Sequence, residues 1–346
     1  MTNPASASLA TALAENPAGW PEELLPLFER AITVEYASLT RANTPVTYPV
    51  TPYVGEDGRT LEVSTGLTYP AKAERARRNP KVALLYSDPL GSGLDAAPVA
   101  LVQGIATVRD SDLQANTDRY VRLATARFPD LYKGQPKFML RSLAWYFARI
   151  WVQVTPTRVL WWPEGRLDEP PREWTAPEGT SAPPSDLAPP GKQPASWTEQ
   201  PSDWRAAAEM ALRELPFRDI TFLGADGFPV CLPVTEISLE AEGLRLDVAR
   251  LADDGPEGPA CLTFHAHDEG FSFQQNRVLV GRVSKADDGA IVFGVERLLG
   301  DWSLPSGRLA TTLDFMFRKG RRLRPRLKAE SARRGQEVPK VRFPGG

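Results

Sequence analysis

The octapeptide PVTYPVTP at positions 45 to 52 returns as PVCLPVTE at 229 to 236, with Pro, Val, Pro, Val and Thr kept at a shift of 184 positions. The same shift carries Trp20 onto Trp204 and Leu39 onto Leu223 without a gap. A constant register over such a span marks an internal repeat, and a repeat restricts the chain to architectures made of two like units. Downstream the match continues with small gaps. NPKVALLYSD at 79 to 88 resembles GPACLTFHAHD at 258 to 268, and ALVQGIATV at 100 to 108 resembles VLVGRVSKA at 278 to 286. Both units end on a Trp-bearing strand, VTPTRVLWW and VERLLGDWS. The pattern predicts a tandem duplication, and 346 residues suffice for two domains that each bury a core.

Between Trp162 and Trp204 the chain is rich in Pro, Gly and Ser and lacks both helical and strand periodicity, so it reads as a linker. The expected division is an extension over 1–19, a first unit over 20–162, the linker over 163–203, a second unit over 204–304 and a basic helix or tail over 305–346. Each unit opens on an amphipathic helix, with Leu24, Leu25, Phe28 and Ile32 in the first and Trp204, Ala208, Ala211, Leu212 and Leu215 in the second. Short strands rich in Val, Thr, Tyr and Leu follow, broken by turn signals such as GEDG at 55 to 58. One or two helices are expected before the last strand of the first unit. The predicted fold class is α+β, mainly β: two tandem antiparallel barrels with a few helices.

Composition excludes several functions. No run of about 18 apolar residues offers a membrane span, and the N-terminal segment lacks the features of a signal peptide, so a cytoplasmic protein is expected. Cys231 and Cys261, the two cysteines, are too few for a disulfide scaffold or a thiolate metal site and read as core. His265 and His267 alternate along a strand and share a face, but no carboxylate or thiol cluster accompanies them at ligand spacing in the sequence, so no metal site is expected. A net charge of -2 gives no global attraction to nucleic acid, and the basic segment at 318 to 342 reads as a solvated terminus.

The sharpest local feature is LEVSTGLTYPAKAERARRNPKVALLYSD at 61 to 88. A strand ends in Ser64 and Thr65, Gly66 turns the chain, and a short helix beginning near Pro70 carries Lys72, Arg75, Arg77 and Arg78 before Asn79-Pro80 stops it. Free N–H groups at a helix start, joined by hydroxyls and cations, favour an anion; a solvated basic face is the plainer reading.

This succession resembles the pyridoxamine 5'-phosphate oxidase-like family of FMN-binding split-barrel proteins. VSTGLTYPAK, RRNPKVALL, VQGIATV and VTPTRVLWW occur in the family's order over about residues 20 to 163. The resemblance implies a flavin cofactor, FMN or a deazaflavin. It would place Ser64, Thr65 and Lys72 on the phosphate with Arg75 or Arg78 assisting, Gln103 at the flavin edge, and Thr47 on the strand under the ring. Trp161 or Trp162 could stack on the ring. TRANTPV at 40 to 46 departs from the family's Asp-Gly-x-Pro hairpin, which ADGFPV in the second unit keeps. That second unit has ARLADDGPEGP where the first has its basic helix, so it is expected to bind no flavin of its own and to act as a built-in partner. The alternative is homodimerisation through first units. The activity implied is hydride transfer between a nicotinamide or small organic substrate and the flavin. A non-catalytic flavin-, haem- or other ligand-binding double barrel is the second reading, and an RNA-associated barrel the third.

Overall fold

Turn chemistry sets the first hairpin of each unit. Strands β1 (Val34–Leu39) and β2 (Pro45–Val50) are joined through Asn43, whose φ of 57° lies in the left-handed region that Asn tolerates. Strands β9 (Phe217–Leu223) and β10 (Pro229–Leu239) are joined through Gly227 at φ 78°. The registers match under the sequence shift: Leu39 faces Pro45 and Ala37 faces Thr47, as Leu223 faces Pro229 and Thr221 faces Cys231.

The computed structural model describes residues 15–132, 136–191, 203–241, 243–251, 256–286, 290–304 and 320–343. After a 3-10 turn and helix α1 (Leu25–Arg30), the first unit adds β3 (Pro52–Val54), β4 (Leu61–Gly66), helix α2 (Ala71–Arg78), β5 (Lys81–Tyr86) and β6 (Val99–Arg109). Helices α3 (Leu113–Arg127), α4 (Pro129–Tyr132), α5 (Lys137–Arg141) and α6 (Ala144–Phe147) precede the long β7 (Arg149–Trp162). The sheet runs β2-β1-β5-β6-β7-β4-β3. The second unit opens on helix α7 (Trp204–Glu214), whose first turn is capped by the Asp203 carboxylate. It then runs through β11 (Leu244–Val248), β12 (Gly258–His267), β13 (Gln274–Lys285) and β14 (Ile291–Leu304), closed as β10-β11-β14-β13-β12-β9. The connectivity is therefore shared, with the single strand β10 standing where the first unit has β2 and β3. That continuity closes the second barrel, whereas the interruption at Thr51 leaves the first as a half-barrel.

A bulge recurs at the same place in both sheets, next to Gly104 in β6 and Gly281 in β13. A Cβ on Gly104 would lie 2.5 Å from the Thr155 carbonyl oxygen, and one on Gly281 2.0 Å from that of Gly294. Backbone meets backbone there, and only glycine fits.

The units pack in a reciprocal way: β2 rests on β12 and β13, while β10 rests on β5 and β6. Such self-complementary exchange is the signature of a two-fold arrangement, here within one chain. The core of the second barrel continues across this seam through Ala37, Ala83, Leu85, Leu101 and Trp162 of the first. Separating the units would expose these side chains at about 1.5–3 kcal/mol for each large one.

Two expectations need correction. The segment after Trp162 is not a free linker, because β8 (Arg172–Thr175) pairs with β7 and Asp186 binds the end of β6. Its carboxylate accepts from the N–H groups of Asp110 and Ser111, and these donors outweigh burial and hold it below the usual carboxylate range. Residues 192–202 lie outside the described region. The basic terminus is not a solvated tail either. Helix α8 (Gly320–Arg333) returns to the first barrel and buries Leu323 and Leu327 in its core. Arg334 joins Glu74 and Asp110 at 3.1 and 2.8 Å, and Arg333 joins Glu74 at 2.8 Å. Arg333 and Arg334 are thus matched by buried acids from far upstream, while Arg321, Arg322, Arg324 and Lys328 are exposed.

Candidate functional site

Helix α2 follows Pro70, and no side chain caps its first turn. Its residues separate by face. Glu74 and Arg77 turn to α8 and Asp110, where the Arg77 guanidinium lies 2.7 Å from the carboxylate. Lys72 and Arg75 turn the other way, towards β1 and β2. The Lys72 amine stands 4.8 Å from the centre of the Tyr48 ring, with the Arg75 guanidinium 5.9 Å from it. Arg75 Nε donates to Ser38 Oγ at 2.9 Å, and its Nη2 is buried without a hydrogen-bond partner. An unpaired buried guanidinium nitrogen is costly and is satisfied by an anion.

Electrostatics agree with that reading. Burial first, then Arg75 and Arg149, bring the Lys72 amine down to about 7. Burial also lowers Arg75 and Arg78, the latter assisted by Arg41 and Arg75. A bound anion would relieve this mutual repulsion. The Tyr48 hydroxyl is raised by burial, opposed by Arg75 and by Arg297 of β14, so the second barrel faces the site as well. A Cβ on Gly300 of β14 would lie 3.7 Å from the Tyr48 ring.

The residues singled out from sequence fall into two groups. Lys72 and Arg75 lie on α2, Ser64 is half-buried on β4, and Thr65 closes the loop into the helix by donating to the Tyr69 carbonyl at 3.0 Å. Arg78 is exposed at the far end of the helix. Thr47, Gln103 and Trp162 are instead sealed in the seam. The Thr47 hydroxyl lies 2.6 Å from that of Thr221, Gln103 Nε2 donates to the Pro229 carbonyl at 2.9 Å, and Trp162 is buried in the shared core. They hold the units together. Trp161 donates to Glu23 at 2.9 Å. Ser38, Tyr48 and Arg149 escape sequence reasoning, although Tyr48 has a signal: the repeat places Leu232 at its position.

A second polar cluster spans the seam. His265 Nε2 lies 2.6 Å from Glu35 Oε1, and His267 Nε2 2.7 Å from Asp88 Oδ2, all four side chains buried. The histidines thus do have carboxylate company, hidden at the level of sequence because it comes from the other unit. Among the described residues no group of three or more side chains suits a metal ion. Nearby, Asp219 occupies the position in the second unit that Glu35 holds in the first, with burial and Glu35 pushing its carboxyl well above the usual range. Cys231 and Cys261 are free and buried, as read from sequence, and burial pushes the Cys261 thiol up to about 12. No described helix is long and apolar enough to cross a membrane.

These features define a class: a mainly β protein of two barrels with a cationic site beside their seam. No family model and no curated protein matches the chain. Solved structures similar to part of it include one titled F420 reductase, at 19% identity over 40% of this chain and 98% of that one, with a TM-score of 0.30. Another is a pyridoxamine 5'-phosphate oxidase-related, FMN binding protein from Nostoc punctiforme, at 17% identity over 47% and 86%, with a TM-score of 0.28. A third, from Clostridium acetobutylicum, is related to general stress protein 26 of the pyridoxinephosphate oxidase family, at 13% identity over 43% and 89%, with a TM-score of 0.30. Likeness at this level carries no functional weight.

Proposed function

We propose that the chain binds a flavin, FMN or a deazaflavin, with its phosphate on Lys72 and Arg75, and that it is an oxidoreductase passing a hydride between that flavin and a nicotinamide or small organic substrate. The observation that carries the binding half is the partnerless buried Arg75 Nη2 beside the depressed Lys72 amine. The flavin itself is named by the sequence resemblance, and the shared pairing order of the two sheets supports duplication of one binding unit. A bound flavin would supply the redox chemistry. The chain's residues would anchor and orient: Arg75 is braced by Ser38, and Tyr48 packs over both cations.

The test is the absorbance of the purified protein and its response to NAD(P)H, in the wild type and in Lys72→Ala/Arg75→Ala. Removing two charge-assisted hydrogen bonds to the phosphate should cost about 3 kcal/mol, roughly a hundredfold in affinity. Binding should also tighten as pH falls through about 7, where Lys72 gains its proton. Unchanged flavin occupancy in the double variant would reduce the helix to a basic face. Binding without turnover is the second reading, favoured by the enclosure of Thr47 and Gln103 in the seam, and an unbleached flavin under NAD(P)H would select it.

A further inference from the structure

We infer that each chain carries one site for an anionic ligand and not two, because the two-fold mate of the Lys72 site has been closed by the segment that joins the barrels. This rests on reading Lys72 and Arg75 as an anion site. A two-fold arrangement generates every surface twice, and the shared strand registers identify the mate of each residue. Ser38, Tyr48, Ser64 and Thr65 correspond to Phe222, Leu232, Asp247 and Val248. Three hydroxyl positions have become apolar and the fourth an acid, so the mate offers an anion neither a donor from these positions nor a favourable field. Where α2 stands in the first barrel, the second runs from Val248 to Gly258 through ARLADDGPE, which has a single cation, Arg250.

The joining segment reaches the start of that stretch. The Arg250 N–H donates to the Leu167 carbonyl at 2.8 Å, and the Leu167 side chain packs on the second core. The walls differ in the same sense. β14 lies against Tyr48 of the first site at Gly300, and the charge of the exposed Arg297 on the same strand acts on the Tyr48 hydroxyl. The mate of Arg297 on β7 is Arg158, opposite the equivalent point of the bulged pair of strands, and that cation is neutralised by Glu173 of β8 at 2.7 Å. The same segment therefore meets the second barrel at Arg250 and pairs the Arg158 charge, while the second barrel keeps its use as a wall for the first.

Calorimetric titration of the full chain with FMN, with native mass measured alongside, tests this. We expect one FMN per chain, about hundredfold weaker binding in Lys72→Ala/Arg75→Ala, about fivefold weaker binding in Arg297→Ala, and unchanged binding in Arg158→Ala. Two FMN per chain, binding of undiminished affinity in the double variant, or equal effects of Arg297→Ala and Arg158→Ala would overturn the inference. A wild type that binds no FMN counts against the flavin reading alone. The number of sites is then read from crystals soaked in sulfate: anion density at Lys72 and Arg75 only upholds it, and density at both mates or at neither overturns it.

Discussion

Asp219→Asn addresses the buried carboxyl that lacks an imidazole partner. Asp219 is fully buried, its Oδ1 accepts from Cys231 Sγ at 3.1 Å and from Thr221 Oγ1 at 3.3 Å, and its Oδ2 has no partner. Burial, and then the charge of Glu35, hold its folded pKa well above the unfolded value. The sign follows from linkage. A carboxyl whose pKa is raised by folding contributes its full stability below about pH 4, and loses it as pH climbs towards the folded value. One extra proton in the folded state corresponds to a slope of about 1.4 kcal/mol per pH unit over that window. Asn keeps the acceptor at the Oδ1 position, and its amide is as unpartnered as the carboxylic O–H it replaces, so the variant differs mainly in having no proton to take up. Urea unfolding of both proteins at several pH values should give near-equal stability at pH 4 and a variant that gains on the wild type by about 1.4 kcal/mol per unit above it. Other titrating groups, His267 among them, occur in both proteins and cancel. A variant that is less stable by a constant margin at every pH would show that Asp219 is ionised and paired in the native state, and the reasoning would fail.

Arg334→Ala leaves Glu74, Asp110 and Glu330 with buried charge that their remaining partners do not balance, and should cost about 3 kcal/mol or more, with early proteolysis in 320–343 as the readout. Gly281→Ala drives a Cβ into the Gly294 carbonyl and should lower stability by about 3 kcal/mol in thermal unfolding, whereas Ala at Gly258, where a Cβ would meet nothing, isolates the smaller effect of a positive φ. Burial alone would depress His267, but its hydrogen bond to Asp88 prevails and raises it, so the pair stabilises below about pH 6.5 and fades as pH rises through the raised value. Asp88→Asn should therefore cost most at pH 6 and progressively less at alkaline pH in the same urea assay.

The likeness of the two hairpins was legible because their Pro, Val and Thr answer to the same local demand, an identical pairing register beside a turn. The basic helix was legible for a related reason: a proline start, cations at helical spacing and an Asn-Pro stop are all local. What stayed hidden depends on contacts with no local signature. Glu35 and His265 are 230 residues apart in sequence and 2.6 Å apart in the fold. Arg333 and Arg334 looked like solvated charge because Glu74 and Asp110 lie on distant elements. Thr47 and Gln103 carry the right atoms for a ligand, but the second barrel supplies partners for both first. Arg297 has a sequence counterpart in Arg158, but its place beside Tyr48 depends on two barrels facing each other.

The docking of α8 has a consequence for the order in which the molecule can be made. A ribosome releases the first barrel long before residue 320, yet that barrel's core is unfinished without Leu323 and Leu327, and Glu74 and Asp110 await Arg333 and Arg334. The nascent first half therefore emerges with an apolar groove and two acids that share the single cation Arg77. It stays incomplete while the second barrel is translated, and the last helix closes it. Folding of this chain is a clasp fastened from its C-terminal end, and a stalled or truncated product would present the open groove to chaperones and proteases.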